Sequence, residues 1–275
     1  MEFKRRVPHP LNSNMMKYLQ IIVFITCCLS LQAQEFRLAP PILRCDQVFF
    51  DQIATVRMNF ALNGAQIRYT LDGSEPSKTS PIYRKPLKIK QDATVKAIAI
   101  HPDYQTSTIS ILSVFKKGIS FKTAPQLKEN PAAEYTGSKA PGLVLTDGQA
   151  GTEDLNDGNW LGFKTDLGFQ GNWETPQNLQ SVKVSGYTAW NSWILPPARI
   201  EVWSALTPGS WQLLVSKAYE RPEKPLEGRQ LYQLDFPSGE YRQIKVIVHN
   251  SGPLPENHPG KGNPAWLFVD EILFN

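Results

Sequence analysis

Apolar and polar residues alternate with period two in short runs along most of this chain. Val56-Arg57-Met58-Asn59-Phe60 and Ile67-Arg68-Tyr69-Thr70-Leu71 alternate, as do residues 94–100. Further along, the same rhythm returns at residues 180–187, 198–203, 211–215, 230–234 and 242–248, and the run 266–274 is nearly all apolar. Strict alternation marks half-buried strands. Turn chemistry such as Asp72-Gly73 and Pro76 separates the runs. The chain also carries 18 Gly and 22 Pro, which leave little room for long helices. The pattern therefore predicts an all-β protein. Residues 35–117 form a small antiparallel sandwich, and residues 119–275 a jelly roll or sandwich of about eight short strands.

One segment breaks the rhythm. Residues 1–33 open with Lys4-Arg5-Arg6 and Lys17, continue through an apolar run from Leu19 to Leu31, and end at Leu31-Gln32-Ala33. A basic start, a short apolar core and a small residue before the cut describe a secretory signal peptide. The run is shorter than the roughly 20 residues that span a bilayer. Met15-Met16 offer an alternative start, and Cys27-Cys28 offer a lipid-anchor alternative to cleavage. The expectation is an exported chain, periplasmic, surface-held or secreted, with no transmembrane span in its mature part. Removing residues 1–33 lowers the formal net charge from +4 to +1. No basic stripe then remains to suggest nucleic acid. Of the three Cys only Cys45 survives, so no intrachain disulfide is available, and another staple is expected.

Composition also divides the mature chain, because all seven Trp lie at or beyond Trp160. The boundaries read as 1–33 signal peptide, 34–117 first module and 118–275 second module. In the first, Ile67-Arg68-Tyr69-Thr70-Leu71-Asp72-Gly73-Ser74-Glu75-Pro76, Ser80-Pro81-Ile82-Tyr83 and Thr94-Val95-Lys96-Ala97 resemble the fibronectin-III-associated module that follows the catalytic barrel of many hexosaminidases. The resemblance implies an immunoglobulin-like spacer. In the second, four stretches resemble the discoidin-like (factor 5/8 type C) fold of family-32 carbohydrate-binding modules, in the version that ends family-20 hexosaminidases. They are residues 145–152, residues 156–163, Asn191-Ser192-Trp193-Ile194-Leu195-Pro196, and His258-Pro259-Gly260 with residues 265–272. No (β/α)8 pattern accompanies these modules. The resemblance implies a non-catalytic glycan-binding protein, with a terminal galactose or N-acetylhexosamine type of glycan and a glycoside hydrolase as candidate partners. Its alternatives are a protein-interaction scaffold or the detached tail of a β-hexosaminidase.

Three chemistries compete for the second module. Asp147 and Thr152 share a Gly-rich loop that could wrap an oxygen-liganded Ca²⁺. The ligand spacing that the resemblance implies falls on Val144, Asp147, Gln149, Thr152, Asp270 and Glu271, with a structural role. Glu271 supports it independently, because an acid inside an apolar terminal strand requires a partner. A sugar site needs aromatic faces and a few polar groups. Trp160, Trp190, Asn191, Trp193 and His258 are the candidates, although the arginine that often contacts galactose in related modules has no clear equivalent. The stretch between residues 187 and 198 is longer than usual for a loop, which places Trp190 and Trp193 on a rim with at least one of them accessible. Catalysis has the weakest support: Asp270-Glu271 is better explained by calcium, Asp154 and Asp157 sit in a turn-rich loop, and no nucleophile–base spacing stands out.

Overall fold

The computed structural model describes residues 36–136, 139–205, 207, 209–221 and 227–275. The signal-peptide reading of residues 1–33, with its Cys27-Cys28 alternative, falls outside these residues. Among the described residues no helix is long and apolar enough to cross a membrane.

The first module consists of β1 (Ile42–Cys45), β2 (Phe49–Phe50), β3 (Ala54–Asn59), β4 (Gln66–Thr70), β5 (Leu87–Ile89), β6 (Ala93–Ile100) and β7 (Ser110–Lys116). They form two sheets, ordered β1-β3-β5 and β2-β7-β6-β4. In β3 the side chains of Ala54, Val56 and Met58 are buried while Arg57 and Asn59 are exposed, so the period-two pattern is a true inside–outside pattern. Facing them from the other sheet are Val95, Ala97 and Val114, and burying each Val contributes roughly 1.5–3 kcal/mol. The turn after β4 is an Asx turn: the Ser74 N–H and hydroxyl both donate to Asp72 Oδ1, at 3.1 and 2.6 Å. Gly73 sits at φ +78°, where a side chain would be strained.

The second module contains β8 (Gln126–Leu127), the one-turn helix α1 (Pro141–Val144), β9 (Leu161–Phe163), β10 (Leu167–Thr188), β11 (Arg199–Ala205), β12 (Trp211–Ala218), β13 (Gly228–His249) and β14 (Leu267–Phe274). Two of these strands are 22 residues long. They pair with each other along most of their length and bend, so each serves both layers of the sandwich. Their outer halves, Leu167–Asn172 and Gln243–Val248, pair with each other, with β8 and with β11, which carries β12 on its far side. Their inner halves continue into β14 and then β9. Phe169, Val184, Val202, Val246 and Phe274 meet between the layers.

The pattern predicts separate strands at 230–234 and 242–248; the structure joins them as β13. Pro237-Ser238-Gly239 reads as a break, yet it lies where the register between β10 and β13 shifts. Pro176 lies in a second irregularity, between Asn172 and Gln177 of β10. A residue without an N–H is tolerated at a bulge, where no ladder bond is required, and the bulge supplies the bend between layers.

The two modules touch. Lys183 of β10, almost fully buried, pairs with Asp92 of the first module. The Arg229 guanidinium lies 5.5 Å from the centroid of the Phe49 ring. The linker runs tight against β14: Ile119 N–H donates to Phe274 O at 2.8 Å, and a Cβ on Gly118 would lie 2.3 Å from that oxygen.

Candidate functional site

Two neighbouring features occupy the loops of the second module. The first is the connection from β10 to β11. Residues Trp190–Ser192 form a 3-10 turn, closed by mutual backbone bonds between Ala189 and Ile194, both at 3.0 Å. Ile194 and Leu195 are buried and anchor the turn. Trp193 stands outside, 39% exposed, and is the one non-glycine residue among those described with a positive φ, +66°. A left-handed backbone costs such a residue roughly 1–2 kcal/mol. Its position is held from behind. Trp266 N–H donates to Trp193 O at 2.8 Å, and the indole lies over Gly260, where a Cβ would come within 2.8 Å of it.

His258 braces the same turn. Gly260 N–H donates to its Nδ1 at 2.9 Å, so that nitrogen must be bare, and Nε2–H donates to Trp190 O at 2.8 Å. Its ring also packs on Trp190, with centroids 4.6 Å apart. With both nitrogens engaged and the residue 3% exposed, His258 positions the turn and does not face a ligand. Trp160 requires the same correction. It is 1% exposed, its Nε1–H donates to Thr152 O at 2.8 Å, and its ring meets Tyr187 edge-on. No face of that indole is open to a sugar. Of the five expected sugar-site residues, Trp193 and Asn191 are exposed, Trp190 is half-buried, and Trp160 and His258 are buried.

The second feature is the loop after α1. It crosses β14 where the pairing with β10 skips from Ser185–Glu271 to Gly186–Val269, leaving Asp270 as a bulge residue. Gly148 N–H donates to Glu271 Oε2 at 2.8 Å, and Gly151 N–H to Asp270 Oδ2 at 2.9 Å. These bonds tie the loop that carries Asp147, Gln149 and Thr152 to the strand that carries Asp270 and Glu271, and Ile272 N–H donates to Leu145 O at 2.7 Å, beside Val144. The resemblance implies the Asp270 carbonyl as a donor; its buried carboxylate pairs with Arg229, which also donates to Ser185 Oγ at 2.8 Å and to Gly151 O and lies 4.8 Å from the Trp160 ring centroid. Its Oδ2 is taken by Arg229 and the Gly151 N–H, while Oδ1 is buried with no hydrogen-bond partner among the described residues. Sequence reasoning missed Arg229, whose partners lie 41 to 78 residues away along the chain.

Glu271 differs. It is 1% exposed and no salt bridge reaches it among the described residues. Burial, with the charges of Asp270 and Asp147, pushes its carboxyl up to about 9. Asp147 accepts from Lys139 Nζ at 2.7 Å and from Gln149 N–H at 2.8 Å. The Lys117 ammonium lies near Glu271 and offsets the upward push only in part, and Lys139 pairs with Asp147. The buried Glu271 carboxyl, the Asp147 carboxylate and a Gly-rich loop are hard oxygen donors of the kind Ca²⁺ takes. Among the described residues no three His, Cys, Asp or Glu converge on a metal position, so an ion here would rely on backbone and Thr152 oxygens as well. Asp154 and Asp157 act as turn acceptors. Partial burial pushes Asp157 up, but N–H donors of Asn159 and Thr152 outweigh it and hold the carboxyl below its usual range.

No curated protein sequence matches the chain. Among solved structures, it is similar to a chitosan-binding module from a chitosanase/glucanase of Paenibacillus sp. IK-5, at 11% identity and TM-score 0.37 over 57% of this chain and 96% of that one. It is also similar to a family 32 carbohydrate-binding module of Clostridium perfringens NanJ, solved with galactose, at 11% identity and TM-score 0.35 over 55% of this chain and 90% of that one. A third is a Clostridium perfringens module solved with GalNAc-β-1,3-galactose, at 10% identity and TM-score 0.35 over 55% and 92% of the two chains. In the first module, residues 56–114, running from within β3 to within β7, match the family model described as Fn3 associated.

Proposed function

We propose that this chain is an exported, non-catalytic glycan-binding protein whose second module presents Trp193 to a saccharide and is stapled by calcium beneath that rim. The observation that carries the reading is the strained, exposed indole of Trp193. Strain of this kind persists only where the surroundings over-determine it, and it concentrates at binding sites. An indole held on a rigid turn offers a flat apolar face to the C–H face of a sugar ring at little entropic cost. The exposed Asn191 amide beside it supplies both a donor and acceptors for hydroxyls. A terminal galactose or N-acetylhexosamine is the ligand class to test first.

Calcium would be held by the carboxylates of Asp147 and Glu271, the Thr152 hydroxyl and the carbonyls of Val144, Gln149 and Asp270. Its role would be to tie the loop to β14 and to neutralise the buried Glu271. The test of the functional reading is a glycan array probed with the full chain and with Trp193→Ala. The expected result is binding to a defined saccharide set that the variant loses while keeping its far-UV spectrum. If the folded wild-type chain binds no saccharide but is captured by a protein, the scaffold reading replaces this one.

A further inference from the structure

The outer face of the β8–β10–β13–β11 layer carries an open groove of about 890 Å³, far from any role assigned above. The strand register builds it in three cross-strand rows. At one end Gln170, Lys245 and Trp203 lie side by side; in the middle Gly168, Ile247 and Glu201; at the other end His249 pairs with Arg199. Asp166 reaches that last row and bonds His249 Nδ1 at 2.8 Å. Gly168 contributes no side chain, and the β8 segment closes over it: Lys128 N–H donates to Gly168 O at 2.8 Å, and the Lys128 stem lies 2.9 Å from where a Cβ would sit, which leaves Ile247 as the floor of the middle row. Phe169, Val246 and Val248 point the other way, into the core, so the polar character of this face is not enforced by packing.

The ends of the groove are pre-set. Lys245 Nζ rests over the rings of Trp211 and Trp203, 4.6 and 5.1 Å from their centroids. No carboxylate pairs with that ammonium among the described residues, so its N–H groups are available to a ligand. Trp203 is itself oriented by its Nε1–H bond to Glu201 Oε2 at 3.0 Å. At the opposite end the Asp166–His249–Glu201–Arg199 network fixes polar groups in place. From Lys245 to His249 an extended strand runs about 13 Å, and the groove is open along it. The lining mixes Lys128 and Lys245 with Glu129 and Asp166, a near balance of sign that does not suit a polyanionic backbone.

We propose that this groove binds a linear oligosaccharide, a second saccharide site separate from the Trp193 rim. Pyranose rings would lie on the narrow floor of Ile247, against the Lys128 stem. Their hydroxyls would meet Gln170 and Lys245 at one end and Asp166 and His249 at the other. Few polar groups around a modest apolar floor is the pattern of a saccharide cleft.

The test uses the full chain and three neutral hexasaccharide probes: a β-linked glucose hexamer, an N-acetylglucosamine hexamer and a β-linked mannose hexamer. Binding is measured by calorimetry and by backbone amide NMR. The expected result is that one hexamer binds the Trp193→Ala variant as tightly as wild type and shifts amides 168–170 and 245–249. The double variant Lys245→Ala/Gln170→Ala should weaken that binding at least tenfold. If Trp193→Ala abolishes all hexamer binding, the groove inference falls while the rim reading stands. The inference is also overturned if no hexamer binds, or if binding occurs with the groove amides unmoved, an outcome readable on wild type even should the double variant fail to fold.

Discussion

Trp193 supports a prediction that separates function from packing. Replacing it with glycine removes the indole and also relieves the φ +66° backbone. Trp193→Gly should therefore lose rim binding while melting close to the wild-type temperature, because relief of the left-handed backbone offsets the packing lost over Gly260. Differential scanning calorimetry and the glycan array together check this; a strongly destabilised variant would mean that the indole is packing. Asp72 offers a pH test in the first module. The Ser74 hydroxyl and N–H bonds hold its carboxyl below the usual range. Because the folded value is depressed, the stabilising contribution is present above the unfolded value of about 3.9 and is lost as pH falls through the folded value. An NMR titration should place the Asp72 midpoint below that of an unstructured aspartate, and a midpoint at or above it would contradict the Asx turn. Both turns were visible in sequence, but the sidedness of the aromatic residues was not. Residues 156–163 suit Trp160 to packing as well as to a sugar face, and the choice falls to Tyr187 and Arg229, which reach it only through the folded sandwich.

At the scale of elements, β3 was legible because one face is buried and period two records it. β4 and β6 alternate in sequence too, although β4 buries only Ile67 and β6 buries Ala97, Ile98 and Ala99 in a row. The unity of β13 was not legible, since Pro237 and Gly239 carry the same signal whether they end a strand or bend it. The loop–β14 junction leads to a prediction about the metal. An ion that binds only the folded state stabilises by about 2.7 kcal/mol at a hundredfold excess over Kd. Adding calcium to chelator-treated protein should raise the melting temperature of the second module. Asp147→Asn, which keeps an acceptor for Gln149 N–H, should abolish that rise. A calcium-independent melt, with no calcium by elemental analysis, would count against the site.

Across the whole molecule, the modules are joined by more than the chain. Lys183 and Asp92 pair with side chains 8% and 36% exposed. The two partners are not equivalent. Asp92→Asn leaves a buried ammonium without its counter-charge and should cost about 2 kcal/mol, between the limits for exposed and buried pairs. Lys183→Met removes the charge that burial penalises and should cost less, and chemical denaturation of the two variants would reveal the asymmetry. Equal losses would indicate that Lys183 is effectively solvated. That all seven Trp fall beyond the first module's strands is visible in the sequence, whereas this contact depends on residues 91 positions apart. Because all seven Trp lie in the second module, their indole N–H signals sample its ligand sites. The most direct measurement of the central claim is a ¹H–¹⁵N NMR titration of those signals in the full chain with the best array saccharide. The Trp193 signal should move most, with Trp190 second and the buried Trp160 unmoved. Saturable binding that leaves the Trp193 signal in place would contradict the account.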